Sequence, residues 1–195
     1  IQQLDGPDWM TPMIKWSFAL AYVLLAAFVG AFADSFPKGR VMFATNSVKI
    51  IGCLTMFAHA SFGLADHHQV YTVCAAYALV GIGAAAYSPA KYGIIAELLP
   101  PEQLVKGNSW IEGLTVVSII LGVVLGGALI SPKVSTWLLS LDLSPGFGPD
   151  IQTPAEAAIM VIALVYLVAA FFNLLIPSTG VYYPRQQRHP IKLMT

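Results

Sequence analysis

Lys91 is the residue whose type and setting most call for chemistry. It stands near the end of Tyr77–Gly93, a stretch otherwise free of charge and rich in Ala and Gly. At the centre of a bilayer a lysine costs about 2.5–3.5 kcal/mol on insertion scales, so it needs a cavity, a partner or a route to the interface. Pro89, two positions earlier, interrupts the helical hydrogen-bond ladder and can turn the following residues toward a cavity. Snorkelling is the alternative, because Lys91 lies roughly 10 Å from the end of its span at about 1.5 Å per residue. Three other sites carry charge at or inside apolar stretches. Asp34, with Lys38 and Arg40 close behind it, closes the first apolar run. Glu112 reads either as an intramembrane acid for a proton or an amine, or as half of a Ser109/Glu112 capping box. Lys49 either snorkels toward the basic side or lines a path, with Asn46 one turn earlier as a companion.

These residues must be positioned by helices in lipid. Apolar residues make up 57% of the chain and charged residues 10%, against roughly 25% charged in soluble domains. Residues 16–33, 50–65, 70–90, 113–132 and 157–184 contain no Asp, Glu, Lys or Arg. About 20 apolar residues cross the hydrocarbon as a helix, so five spans are expected, near 13–33, 42–65, 70–97, 110–131 and 156–176. The fold class expected is an all-α membrane protein. Lys38, Arg40, Lys106, Arg185, Arg188 and Lys192 gather on one side, which the positive-inside rule assigns to the cytoplasm. Residues 34–41, 98–109 and 177–195 are then cytoplasmic and the N-terminus external. Asp66–Gln69 reads as an external turn and 132–155 as a longer external segment whose Trp137–Leu139 part lies along the interface. Trp16, Trp110 and Trp137 suit an aromatic belt.

Several function classes find no support. Net charge is zero, so no nucleic-acid partner is expected. His59, His67, His68 and His189 show no repeated spacing, and no phosphate loop, nucleophile elbow or zinc motif occurs. No enzyme activity, metal or cofactor is expected. Cys53 and Cys74 fall in spans as free, buried thiols. Gly122 and Gly126 are spaced for close helix packing. The chain begins without Met and with a short acidic loop, and is read as an internal segment of a longer protein.

Gly30, Asp34, Gly39 and Arg40 resemble the loop motif between helices two and three of the major facilitator superfamily, with two extra residues before Gly39. Residues 33–42, the Gly81–Ile94 block and Leu104–Asn108 together resemble the bacterial lysophospholipid transporter family within it. The resemblance covers roughly 11–131 and weakens over 132–155. It implies that the five spans are helices two to six of twelve. Residues 1–176 would be a partial N-terminal half, and 177–195 a cytoplasmic linker toward a second half.

By the same resemblance the protein is a multi-pass transporter of the bacterial inner membrane. It would move lysophospholipid from the outer to the inner leaflet, where a membrane acyltransferase on the cytoplasmic side re-acylates it. Asp34, Lys38, Gly39 and Arg40 would gate. Lys91 would meet the substrate phosphate, helped by Tyr87, Ser88 and Tyr92, with Glu112 and Asn108 as further substrate contacts. An exporter of drugs or small amphiphiles is the same-fold alternative, and a non-transporting membrane scaffold the alternative of another class.

Overall fold

In the computed structural model, residues 9–58, 66–141 and 151–179 are described, and all their regular structure is helical. The helices are α1 (Met10–Asp34), α2 (Lys38–Phe57), α3 (Asp66–Leu98), α4 (Pro101–Ile130), α5 (Pro132–Ser140) and α6 (Pro154–Leu174). Local sequence explains the boundaries. Pro sits in the first turn of α4, α5 and α6, where its missing N–H costs nothing. A capping box opens α6: the Glu156 backbone N–H donates to Thr153 Oγ1 at 3.2 Å, and the Thr153 N–H to Glu156 Oε2 at 2.9 Å.

Two expected connections are helical instead. Residues 101–109 belong to α4, because Pro100 and Pro101 start the helix at once and leave only a tight corner after Leu98. Asp66–Gln69 opens α3 rather than forming a turn, with His68 exposed on it. His59, His189, the segment 142–150 and the tail 180–195 lie outside the described residues.

α3 is the central strut. α1 packs along it, and α2 packs against both α3 and α6. Contacts fix the directions. Ser17 of α1 reaches the Cys74 carbonyl and Tyr22 reaches Ser88, so α1 and α3 run the same way. Thr45 and Lys49 of α2 meet Gly83, Gly52 meets Val80, and Lys38 meets Gly93, so α2 runs against α3. Glycine permits the close approach. A Cβ on Gly83 would lie 2.8 Å from the Thr45 carbonyl, and one on Gly81 2.9 Å from the Phe18 carbonyl. At the end of the bundle bearing Lys38, the apolar core consists of Ala33, Val41, Met42, Ala90, Ile94 and Ile95. Cys53, Val80 and Ala163 fill the layer joining α2, α3 and α6, and both cysteines are free and buried.

Three helices, α3, α4 and α6, are long and apolar enough to cross a membrane, and α1 makes a fourth as a bent pair, Pro12–Leu25 with Phe28–Asp34. The second expected span, to which α2 corresponds, does not meet that test. It carries Lys38, Arg40, Asn46 and Lys49, three of which it buries against its neighbours. α4 differs from all the others in burying no residue. Its Val116, Ile120, Val123 and Leu125 are exposed, as is Trp110, and exposed apolar surface of this kind is suited to lipid or to further helices. The Gly122/Gly126 face meets no neighbour within 4 Å, so its expected packing role finds no partner among the described residues.

Candidate functional site

The expected site residues separate into three clusters, each held by a different set of helices. The first lies where α3 meets α4. Lys91 Nζ donates to Thr115 Oγ1 at 3.0 Å and sits 4.7 Å from the centre of the Tyr92 ring. The Tyr92 hydroxyl donates to Glu112 Oε1 at 2.6 Å. Lys91, Ile111, Leu114, Thr115, Ser118 and Ile119 line an open groove of about 440 Å³ between the two helices.

Thr115 stands 14 residues into α4 and Lys91 seven residues from the end of α3, so this contact joins the two helices well beyond the corner between them. The bonded partner of Lys91 is a neutral hydroxyl, and no carboxylate pairs with it among the described residues. Thr115 was not legible as a site residue in the sequence, because only the crossing of α4 over α3 brings it to Lys91. Glu112 is no cap: it lies mid-helix, and Ser109 Oγ donates back to the Val105 carbonyl at 2.8 Å. The capping-box reading fails because α4 begins eight residues before Ser109.

The other expected companions of Lys91 go elsewhere. Ser88 accepts from the Tyr22 hydroxyl of α1 at 3.3 Å. Asn108 is exposed on α4 and forms no side-chain hydrogen bond among the described residues. Tyr87 faces α2, where it joins the second cluster. There Lys49 is buried, with Nζ 3.2 Å from Asn46 Oδ1, 4.4 Å from the Tyr87 ring centre and 5.3 Å from that of Tyr166. Asn46 is thus its partner, and two aromatic faces replace a counter-ion. The ammonium is enclosed by side chains of α2, α3 and α6.

The third cluster is at the basic end. Lys38 Nζ pairs with Asp34 Oδ1 at 2.6 Å, donates to the Ala33 carbonyl at 3.0 Å and lies 3.8 Å from Glu97 Oε1. The Lys38 side chain is 2% exposed and that of Glu97 3%, whereas Asp34 is 58% exposed. Gly93 makes the room, since a Cβ there would come within 3.0 Å of Lys38 Cε. Thr179 Oγ1 donates to Glu97 Oε2 at 2.6 Å. Arg40 is exposed and pairs with no carboxylate among the described residues. Glu97 was missed by sequence reasoning. Its signal was weak: an acid one helical turn beyond Gly93, on the face that a partner of Lys38 would need. Gly39 abuts α6, a Cβ there lying 3.2 Å from Ile176 Cβ. Among the described residues no group of acids, His and Cys could hold a metal.

Comparison with known proteins adds three findings. The family model described as Major Facilitator Superfamily matches residues 9–193. "Lysophospholipid transporter LplT" of Yersinia enterocolitica serotype O:8 / biotype 1B is 41% identical over 178 residues, 91% of this chain and 36% of that protein. The proteins of the same name from Yersinia pestis (strain Pestoides F) and Yersinia pseudotuberculosis serotype O:3 (strain YPIII) are each 42% identical over 177 residues, with the same shares covered. The chain thus spans 36% of the length of these relatives. No solved structure matches it.

Proposed function

The chain belongs to the major facilitator superfamily, and from that premise we propose that the full-length protein carries lysophospholipids from the outer to the inner leaflet of a bacterial inner membrane. The observation that carries the reading is Lys91: an ammonium in an apolar stretch, with no carboxylate partner among the described residues and beside an open groove, in a chain 41–42% identical to proteins named for lysophospholipid transport. An unpaired cation inside the membrane suits an anionic substrate group, and the phosphate of a lysophospholipid supplies one. Tyr92 and Glu112 lie beside it, so a headgroup amine can meet Glu112 while the phosphate meets Lys91. The single acyl chain would lie along the apolar wall formed by Ile111, Leu114 and Ile119. The remaining helices of the superfamily fold would complete the path, with two halves rocking about it.

Asp34, Lys38 and Arg40 act in this scheme as the switch at the cytoplasmic end. Lys38 is the fixed element, clamped between α1 and α3, and Asp34 and Arg40 are the exposed charges free to exchange partners when the halves move. A membrane acyltransferase on the cytoplasmic side would consume the delivered substrate.

The test supplies labelled lysophosphatidylethanolamine to spheroplasts lacking their own importer and follows its conversion to diacyl lipid. Conversion that appears only with the full-length gene is the expected result. Absence of conversion in well-expressed protein, together with resistance to small amphiphiles, would replace this reading with the exporter of the same fold.

A further inference from the structure

We infer that Thr179 is a positioning residue of the cytoplasmic switch: the chain leaving α6 folds back as a strap, and the Thr179 hydroxyl fixes Glu97 opposite Lys38. The inference rests on the reading of Lys38 as the fixed element of that switch. Thr179 Oγ1 donates to Glu97 Oε2 at 2.6 Å, whereas Glu97 Oε1 stands 3.8 Å from Lys38 Nζ. Lys38 in turn holds α1 more closely, through Asp34 Oδ1 at 2.6 Å and the Ala33 carbonyl at 3.0 Å. Glu97 is therefore shared between α2 and the strap, and its shorter contact is with the strap. A hydroxyl that donates to a carboxylate makes a charge-assisted bond, the stronger class, and the Glu97 side chain is buried.

Local sequence brings the strap to Glu97. α6 ends at Leu174, and the Ile176 N–H still donates to the Asn173 carbonyl at 3.3 Å, so the chain leaves the helix at a fixed point. Pro177 follows, which has no N–H to continue the helix. Ile176 and Thr179 are half-buried, while Pro177 and Ser178 between them are exposed. Ile176 packs against the core that contains Val41, Ala90 and Ile94. Gly39 admits it, since a Cβ there would lie 3.2 Å from Ile176 Cβ. One apolar and one polar anchor thus fasten the strap to α2 and α3. Between the strap and the first turn of α2 a pocket of about 270 Å³ stays open, with Lys38 and Arg40 on one side and residues 177–179 on the other. The strap is held at two points and not by continuous packing, which suits a contact that parts and re-forms. In the transporter reading this segment leads toward the second half of the protein. Movement of that half would draw Thr179 away, and the buried Glu97 would then have to turn to Lys38 for its hydrogen bond. Thr179 thereby couples the second half to the switch.

Hydrogen exchange of the full-length protein in detergent, read by mass spectrometry, tests the strap without any substrate. Thr179→Val keeps the shape of the side chain and removes the donor. It should speed exchange about tenfold across residues 176–179 and the last turn of α3, the change expected for loss of one hydrogen bond to a charged group. Thr179→Ser should exchange as wild type does, and Thr179→Val should add nothing in a Glu97→Met background. In spheroplasts, Thr179→Val should lower the maximal rate of lysophosphatidylethanolamine conversion and leave the half-saturating concentration unchanged. Unchanged exchange in Thr179→Val, equal acceleration in Thr179→Ser, or a rise in the half-saturating concentration alone would overturn the inference. No conversion by wild type, with the exchange pattern as expected, would overturn the transport reading and leave the strap on Glu97 standing.

Discussion

At the scale of single residues, the two carboxylates on Lys38 are not equivalent, and burial says which matters for stability. Asp34 is mostly exposed, so its pair with Lys38 is worth about 0–1 kcal/mol. The Glu97 side chain is buried, with the Thr179 hydroxyl donating to it, and removing Lys38 would take away the ammonium 3.8 Å from its carboxylate. Breaking a buried pair from one side costs about 3–5 kcal/mol. Lys38→Met is therefore expected to lower the unfolding temperature of the purified protein far more than Asp34→Asn, and adding Glu97→Gln should recover part of the loss. Equal shifts for the two single variants would show that Glu97 is not the partner that counts. Lys49 makes a second contrast. With one amide oxygen and two aromatic faces around it and no acid, Lys49→Met keeps the stem and removes only the charge. Such a replacement is expected to be neutral or to stabilise by about 1–4 kcal/mol, measured by the same melt.

At the scale of elements, the helices were legible wherever apolar runs were long, and their ends wherever proline marked them. Two readings failed for one physical reason. Ser109 and Glu112 have capping-box spacing, but a cap forms only where a helix begins, and Pro101 had already begun α4. The functional box, Thr153 and Glu156, stands where a helix does begin and opens α6. The partners Thr115, Glu97 and Tyr166 were invisible because each belongs to a different helix from the residue it meets, and helix crossings do not appear in a linear pattern. Glycine shows the same limit. Gly83 and Gly122 look alike in sequence, yet a Cβ on Gly83 would strike the Thr45 carbonyl, while Gly122 faces open space. Gly83→Ala should thus cost about 1–3 kcal/mol by forcing α2 and α3 apart. In this chain Gly122→Ala should change stability by less than about 0.5 kcal/mol. A thermal melt of both variants in the same detergent distinguishes them, and equal losses would contradict the packing of α2 on α3.

At the scale of the whole molecule, the chain holds a packed unit of α1, α2, α3 and α6, with α4 alongside and unburied. That asymmetry has a functional sense within the superfamily. The helix that carries Thr115 and Glu112 is the one whose surface is left for other helices, lipid or substrate, and the ammonium it holds pairs with no carboxylate among the described residues. The most direct measurement compares Lys91→Ala with wild type, at matched membrane abundance, in gene-dependent conversion of lysophosphatidylethanolamine. Loss of a charge-assisted contact to phosphate predicts a fall of about tenfold or more. Conversion at the wild-type rate would contradict the account and leave Lys91 a structural partner of Thr115.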